Sequence, residues 1–249
     1  MKTVLITGTS SGYGRETALH FHSRGWNVIA TVRKRRPGIL PESDRLRIVE
    51  LDVTEPESIT AAFEAAGPVD VLVNNAGVPS ISVFEGTPMP QVREVFETNT
   101  FGVMATTQAV LPQFRERGSG VVVNVTSSVV LGHMPLSAVY KASKMAIEGF
   151  TASLALELAP FGVQAKTVEP GACLTTNFAG KATGGRAPDE LVPPPYAPFV
   201  RKAMAEFTGQ DLFTEESDVA ETIWRAAHDT TGQLRFPAGP DAVLLAQAR

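Results

Sequence analysis

Cysteine is almost absent from this sequence. Of 249 residues only Cys173 carries a thiol, so no internal disulfide can form and the fold must stand on packing. The four histidines, His20, His22, His133 and His228, share no metal or triad spacing, which excludes structural zinc and leaves no metal site to expect. No activating base is recognisable for Cys173, and His133, in the loop Leu131–Ser137, reads first as a plain loop histidine and second as a substrate contact. No apolar run approaches the roughly 18 residues of a membrane span. Strand-like residues begin at Lys2, leaving no room for a signal peptide, so a cytoplasmic location is expected. Basic charge is not in excess either: 22 Lys and Arg against 26 Asp and Glu give a net charge of -4, which argues against nucleic acid or anionic lipid as a partner. No internal repeat or charged linker divides the chain, so residues 1–249 read as a single domain.

With 43% hydrophobic and 19% charged residues the composition is that of a folded globular protein. Short β-branched runs recur at Val4–Ile6, Val28–Ala30, Ile48–Leu51, Val69–Val73, Val121–Val125 and Val163–Val168. Buried parallel strands have this pattern. Parallel neighbours need crossovers long enough to hold a helix, and Arg15–Arg24 and Met145–Leu158 supply them. The expected fold is therefore α/β, a doubly wound parallel sheet with helices on both faces. Gly25 stops the first helix and Asn27 opens the next strand, so a βαβ unit fills about the first thirty residues.

The first strand runs into Thr7-Gly8-Thr9-Ser10-Ser11-Gly12-Tyr13-Gly14, followed by a helix beginning near Arg15. A nucleotide pyrophosphate meets backbone N–H groups and the positive end of a helix at such a corner. Gly8 permits the tight turn, Gly12 lets the backbone approach the phosphates, and Gly14 lets the helix pack close to the sheet. After the second strand stands Arg33-Lys34-Arg35-Arg36, where an acid would hold the ribose hydroxyls of NAD. A guanidinium at Arg33, helped by the Ser11 hydroxyl, suits a 2′-phosphate instead, so NADP(H) is preferred over NAD(H).

The glycine turn, Asn74-Asn75-Ala76-Gly77, Tyr140-Lys141-Ala142-Ser143-Lys144 and Pro170-Gly171 occur in an order that resembles the classical short-chain dehydrogenase/reductase family. The resemblance covers nearly the whole chain. It implies a single-domain Rossmann fold with a seven-stranded parallel sheet. The stretches ATVRKRR, SSVVLGHMP and LELAPFGV look most like the 17β-hydroxysteroid and retinol dehydrogenase branch.

Tyr140 and Lys144 are four apart on a predicted helix and share one face. A phenol titrates near ~10, but an ammonium and an oxidised nicotinamide nearby favour the phenolate, so Tyr140 reads as the acid or base of a carbonyl/alcohol interconversion. By the resemblance, Ser127 orients the carbonyl, with Ser128 as its rival, and Asn99 holds a water that links Lys144 to solvent. The resemblance also implies cofactor contacts from Ser10, Ser11 and Tyr13 in the glycine turn, from Asp52 and Val53 at the adenine, and from Asn75, Ala76 and Gly77 at the ribose. Pro170 and Gly171 pass beneath the nicotinamide, and Thr175 binds its amide, with Thr176 the alternative one residue on.

Phe178 to Gly209 differs from the rest: a cluster of prolines carries Leu191, Tyr196 and Phe199. The expectation for 178–209 is a proline-rich loop covering a hydrophobic or aromatic substrate, against a plain surface insertion. An NADP(H)-sensing module without turnover is the alternative function, disfavoured by Ser127, Tyr140 and Lys144 occurring together. A carbohydrate epimerase or dehydratase would need a larger region after Glu169. The family resemblance implies a homodimer or homotetramer built through the helices containing Thr98–Arg117 and Ala142–Ala159.

Overall fold

The computed structural model describes residues 1–176, 178–183 and 185–248. Asn177, and Gly184 within the expected cover, lie outside the described residues. Seven strands form one parallel sheet in the order β3-β2-β1-β4-β5-β6-β7. They are β1 (Thr3–Ile6), β2 (Asn27–Val32), β3 (Leu46–Glu50), β4 (Val71–Asn74), β5 (Gly120–Val125), β6 (Val163–Pro170) and β7 (Arg235–Ala238).

Successive side chains of a strand point to opposite faces, and here both faces are apolar. Val4, Ile6, Val28 and Ala30 pack with Phe21, Trp26 and Ile223 beneath α1 (Gly12–Ser23) and α8 (Glu216–His228). Leu5, Ile29, Leu72 and Val122 pack with Ile59, Phe114 and Leu154 beneath α2 (Pro56–Ala66), α4 (Gly102–Arg117) and α5 (Ala138–Leu158). Full burial of each such aliphatic side chain contributes about 2 kcal/mol. A buried polar ladder crosses the second face. Thr106 donates to Asn74 Oδ1 at 2.7 Å, Asn74 Nδ2 donates to Asn124 Oδ1 at 2.9 Å, and Asn124 Nδ2 donates to Thr151 at 2.8 Å. These side chains are satisfied internally, so they tie β4 and β5 to α4 and α5 in one register.

The chain builds outward from β1 to β3 and then returns to place β4 on the other side of β1, with Ile6 opposite both Ala30 and Val73. That reversal opens a crevice at the carboxyl ends of β1 and β4, the place where open α/β sheets bind ligands.

Several elements differ from the sequence expectation. The first helix starts at Gly12, not near Arg15. Thr98–Arg117 is not one regular helix: α3 (Met89–Phe96) passes into a widened π turn over Glu97–Phe101 before α4 begins. The strand β7, Arg-Phe-Pro-Ala, occupies the sheet edge, where Pro237 is tolerated. Within 178–209 the chain is largely helical rather than a loop, with α6 (Phe178–Thr183), short turns at Pro188–Glu190 and Pro194–Tyr196, and α7 (Ala197–Thr208). Pro188, Pro194 and Pro198 each fall in the first turn of a helical segment, where no backbone N–H is required. The chain ends with α9 (Pro240–Gln247).

Candidate active site

The glycine turn and the segment after β4 are strapped together at the crevice. The Thr7 hydroxyl accepts from the backbone N–H groups of Asn75 and Ala76 at 3.0 and 2.9 Å, and Asn75 Nδ2 donates to the Thr7 and Gly8 carbonyls at 2.9 and 3.1 Å. Gly8 has φ +73° and lies so close to Ala76 that a Cβ would come within 2.8 Å of its Cα. At Gly14 a Cβ would fall 2.4 Å from both the Gly8 carbonyl oxygen and Asn75 Nδ2. Side chains at these positions would push α1 off the sheet. Ser11 flanks the start of α1 in extended backbone, and its side chain caps none of the first-turn N–H groups. Ser10 and Ser11 are exposed at the rim. A cleft of about 650 Å³ opens beside this helix start, lined by Gly12, Arg15, Glu16, Leu174, Thr175 and Glu216 among others.

Tyr140 and Lys144 project from the first two turns of α5 and are 9% and 4% exposed. Burial raises the Tyr140 phenol well above its ordinary range, while a hydrogen bond with the Ser127 side chain works in the opposite direction. Ser127 also accepts from Val129 N–H at 3.3 Å, which fixes its hydroxyl at the end of β5. Its rival Ser128 is buried. Lys144 Nζ donates to the Val125 carbonyl at 2.9 Å and lies 5.8 Å from the centre of the Tyr140 ring. Burial lowers its pKa to about 8, offset in part by the charge of Glu148. Without a nicotinamide, burial outweighs the groups expected to favour the phenolate, so the phenol holds its proton.

Asn99 is fully buried in the π turn, and its amide is spent on the backbone of Val78, accepting at 2.8 Å and donating at 2.9 Å, with a third contact to Ser143 at 3.3 Å. Gly77 lies against both Asn99 and Lys144: a Cβ there would lie 3.2 Å from Asn99 Oδ1 and 3.6 Å from Lys144 Nζ.

Arg33 is exposed just after β2 and makes no hydrogen bond or ion pair among the described residues. Asp52 accepts from the Thr54 N–H and hydroxyl at 3.0 and 2.7 Å, which shapes the turn after β3. Val53 is buried against Gly102. Pro170 ends β6, and the Gly171 carbonyl accepts from the Tyr13 hydroxyl at 3.0 Å. Thr175 is exposed and donates to Glu216 at 2.7 Å, whereas the Thr176 side chain faces Gly12, within 3.4 Å of where a Cβ would be. The loop histidine His133 is exposed.

Sequence reasoning did not single out Thr7, Glu148 or Asp241. Asp241 accepts from the Ala172 N–H at 2.7 Å and from the Thr214 hydroxyl, which anchors the turn after β6. A lone Asp near the chain's end gives no such signal, but Glu148 recurs four residues after Lys144 on the same helical face, and that spacing could have flagged it. Among the described residues no cluster of His, Cys, Asp and Glu could hold a metal ion, and no helix is long and apolar enough to cross a membrane.

Residues 2–185 match the family model described as short chain dehydrogenase. An uncharacterized oxidoreductase of Bacillus subtilis, YusZ, is 40% identical over 186 residues, 70% of this chain and 66% of that protein. Human retinol dehydrogenase 8 is 35% identical over 221 residues, 84% of this chain and 66% of its own length. The chain thus spans just under two thirds of these curated relatives. A short-chain dehydrogenase from Streptomyces avermitilis superposes with a TM-score of 0.83 at 35% identity, covering 99% of this chain and 91% of that one. Other solved neighbours include complexes with NADP+ and with NADH, at 25% and 26% identity.

Proposed function

The chain belongs to the short-chain dehydrogenase family, and from that premise we propose that it is an NADP(H)-dependent oxidoreductase interconverting a hydrophobic or aromatic ketone or aldehyde with its alcohol. The observation that carries this reading is the grouping of Ser127, Tyr140 and Lys144, largely buried, at the carboxyl ends of the strands beside the glycine turn. An NADP(H)-sensing role without turnover would leave that grouping without a use.

The residues present fit a dinucleotide. The uncapped start of α1 offers backbone donors to a pyrophosphate. The close approach of Gly8 and Gly14 to Ala76 and Asn75 keeps the cradle free of side chains. Arg33, exposed and unengaged, suits a 2′-phosphate, with Ser11 nearby; Asp52 and Val53 border the adenine, and Asn75 to Gly77 the ribose. Pro170, Gly171 and Tyr13 line the nicotinamide side. Of the two threonines, the orientation toward the glycine turn favours Thr176 over Thr175 for the amide contact.

When bound, the nicotinamide supplies or accepts the hydride. Ser127 and Tyr140 hydroxyls hold the carbonyl oxygen, and preorganised donors at that oxygen stabilise the charge that develops there. Tyr140 gives its proton to the oxygen as the alcohol forms, and in the reverse direction accepts it. The burial that keeps the phenol protonated puts it in the state that carbonyl reduction requires. Lys144 supplies positive charge beneath Tyr140. Since the Asn99 amide is occupied by Val78, its part in a relay falls to its backbone carbonyl.

In this reading the segment 178–209 serves as the substrate cover. It is pinned to the loop after β4 by the Tyr196 hydroxyl, which donates to Glu85 at 2.6 Å. Exposed Phe101 and Met145, on the helices expected to mediate association, support a homodimer or homotetramer. The test is to mix the protein with NADPH and a chemically diverse carbonyl panel and follow cofactor absorbance. Consumption of NADPH with hydrophobic carbonyls, faster than of NADH, is expected. A folded protein that turns over none of them overturns the reading.

A further inference from the structure

The interior holds a carboxylate that the mechanism above leaves unused. Glu148 is 4% exposed and lies one helical turn beyond Lys144 on the same face of α5. Burying a carboxylate is costly unless its charge is put to use or satisfied, and this one is thoroughly seated. Thr126 donates to one of its oxygens at 2.6 Å, Thr167 to the other at 3.4 Å, and Arg235 Nε stands 3.3 Å from that second oxygen.

The seating is joined to that of Lys144. Val125 ends β5 and Thr126 follows it: the carbonyl of the first holds Lys144 Nζ, and the hydroxyl of the second holds Glu148. The cation and the carboxylate are thus fixed by adjacent residues, on one helical face, without a direct ion pair between them. The other groups facing this pair are Tyr140 on α5, Arg235 on β7 and Glu169 on β6, whose carboxylate lies 3.9 Å from the same Arg235 nitrogen.

We propose that Glu148 is a positioning residue that keeps Lys144 charged in its buried seat. This inference rests on the reading of Lys144 as the cation that supports Tyr140. An anion held at fixed distance in a medium of low dielectric favours the ammonium over the neutral amine. Its effect opposes the burial that would otherwise discharge Lys144, in agreement with the direction of its influence on that lysine. A purely structural role, pinning α5 to Thr126, Thr167 and Arg235, would leave the titration of Lys144 where it is.

The experiment separates charge from shape. Protein labelled with carbon-13 lysine carries only seven lysines, and the Lys144 signal is assigned by its loss in Lys144→Met. Its titration is then followed by NMR in the wild type, in Glu148→Gln, which keeps the shape and loses the charge, and in Glu148→Asp, which keeps the charge and alters the shape. The wild-type midpoint is expected at about 8; Glu148→Gln lowers it by about one pH unit, and Glu148→Asp leaves it near the wild type. An unmoved midpoint in the Gln variant, or an equal fall in the Asp variant, overturns the proposal. Should Glu148→Gln fail to fold, Glu148→Asp decides, because a Lys144 midpoint that falls while the carboxylate is kept overturns the proposal. The alkaline limb of kcat is expected to move down with the Gln midpoint. A shifted Lys144 signal in a protein that reduces no carbonyl supports the Glu148 assignment and overturns the oxidoreductase reading instead.

Discussion

Lys144 Nζ stands 5.8 Å from the centre of the Tyr140 ring, one helical turn away, with both side chains buried. The ammonium donates to the Val125 carbonyl at 2.9 Å. It therefore acts on Tyr140 as a nearby charge held in place by the strand, and its influence depends on remaining protonated.

That dependence sets the pH profile. Burial brings Lys144 down to about 8, so the cation is present below that value and is lost as pH rises through it. Measured with saturating NADPH and carbonyl, kcat for reduction is expected to be level near neutrality and to fall above pH of about 8, approaching tenfold per pH unit. A rate that keeps rising through pH of about 9 would show that the charge is not needed.

Arg33 is the residue on which cofactor choice turns. Arg33→Asp is expected to weaken NADPH binding by roughly 10- to 100-fold while leaving NADH binding level or improved, since a charge-assisted contact is replaced by repulsion. Fluorescence titration with each dinucleotide reads both affinities, and an unchanged ratio removes Arg33 from the account.

Gly14→Ala would put a Cβ 2.4 Å from the Gly8 carbonyl oxygen and from Asn75 Nδ2. Overpacking of this kind costs about 1–3 kcal/mol, so thermal unfolding should show a lower Tm together with weakened NADPH binding. Unaltered Tm and affinity would mean that α1 can shift freely, contrary to a cradle fixed by close contact.

Tyr196 joins the cover to the body of the protein through Glu85, 111 positions away in the chain. Because both groups lie near the surface, Tyr196→Phe should leave Tm almost unchanged while raising KM several-fold for bulky carbonyls and altering kcat little. A KM that stays the same for every substrate would detach segment 178–209 from substrate binding.

The parts of the fold that were legible in the sequence were those written in runs of one residue type. Val121–Val125 is valine at four of five positions and Val163–Val168 carries Val163, Thr167 and Val168 in a largely buried strand, so their strands declare themselves. The doubly wound sheet was expected from apolar runs separated by helix-length segments, but the place of the reversal, with β4 beside β1, was not read from the sequence. By contrast, Arg235–Ala238 becomes a strand only because β6 offers it a partner, and its own residues carry no β pattern. The π turn at Glu97–Phe101 is hidden inside a helical sequence, since its widening follows from seating Asn99 against Val78 and Ser143. The prolines of 188–198 suggested a loop, although each of three falls where a helix start accepts proline. In the candidate site, Tyr140, Lys144 and the glycines were readable from spacing. The straps made by Thr7 and Asp241, and the seat of Glu148, depend on contacts between residues 19 to 69 positions apart and have no local signature.

The central claim is that the Tyr140 hydroxyl exchanges the proton on the substrate oxygen. Its most direct test is Tyr140→Phe, which removes one oxygen from a buried ring, assayed for NADPH affinity and for carbonyl reduction in parallel. The account predicts NADPH affinity within a few-fold of wild type and kcat reduced by about 10²- to 10⁴-fold. Turnover that survives the loss of the hydroxyl while the dinucleotide still binds would contradict it.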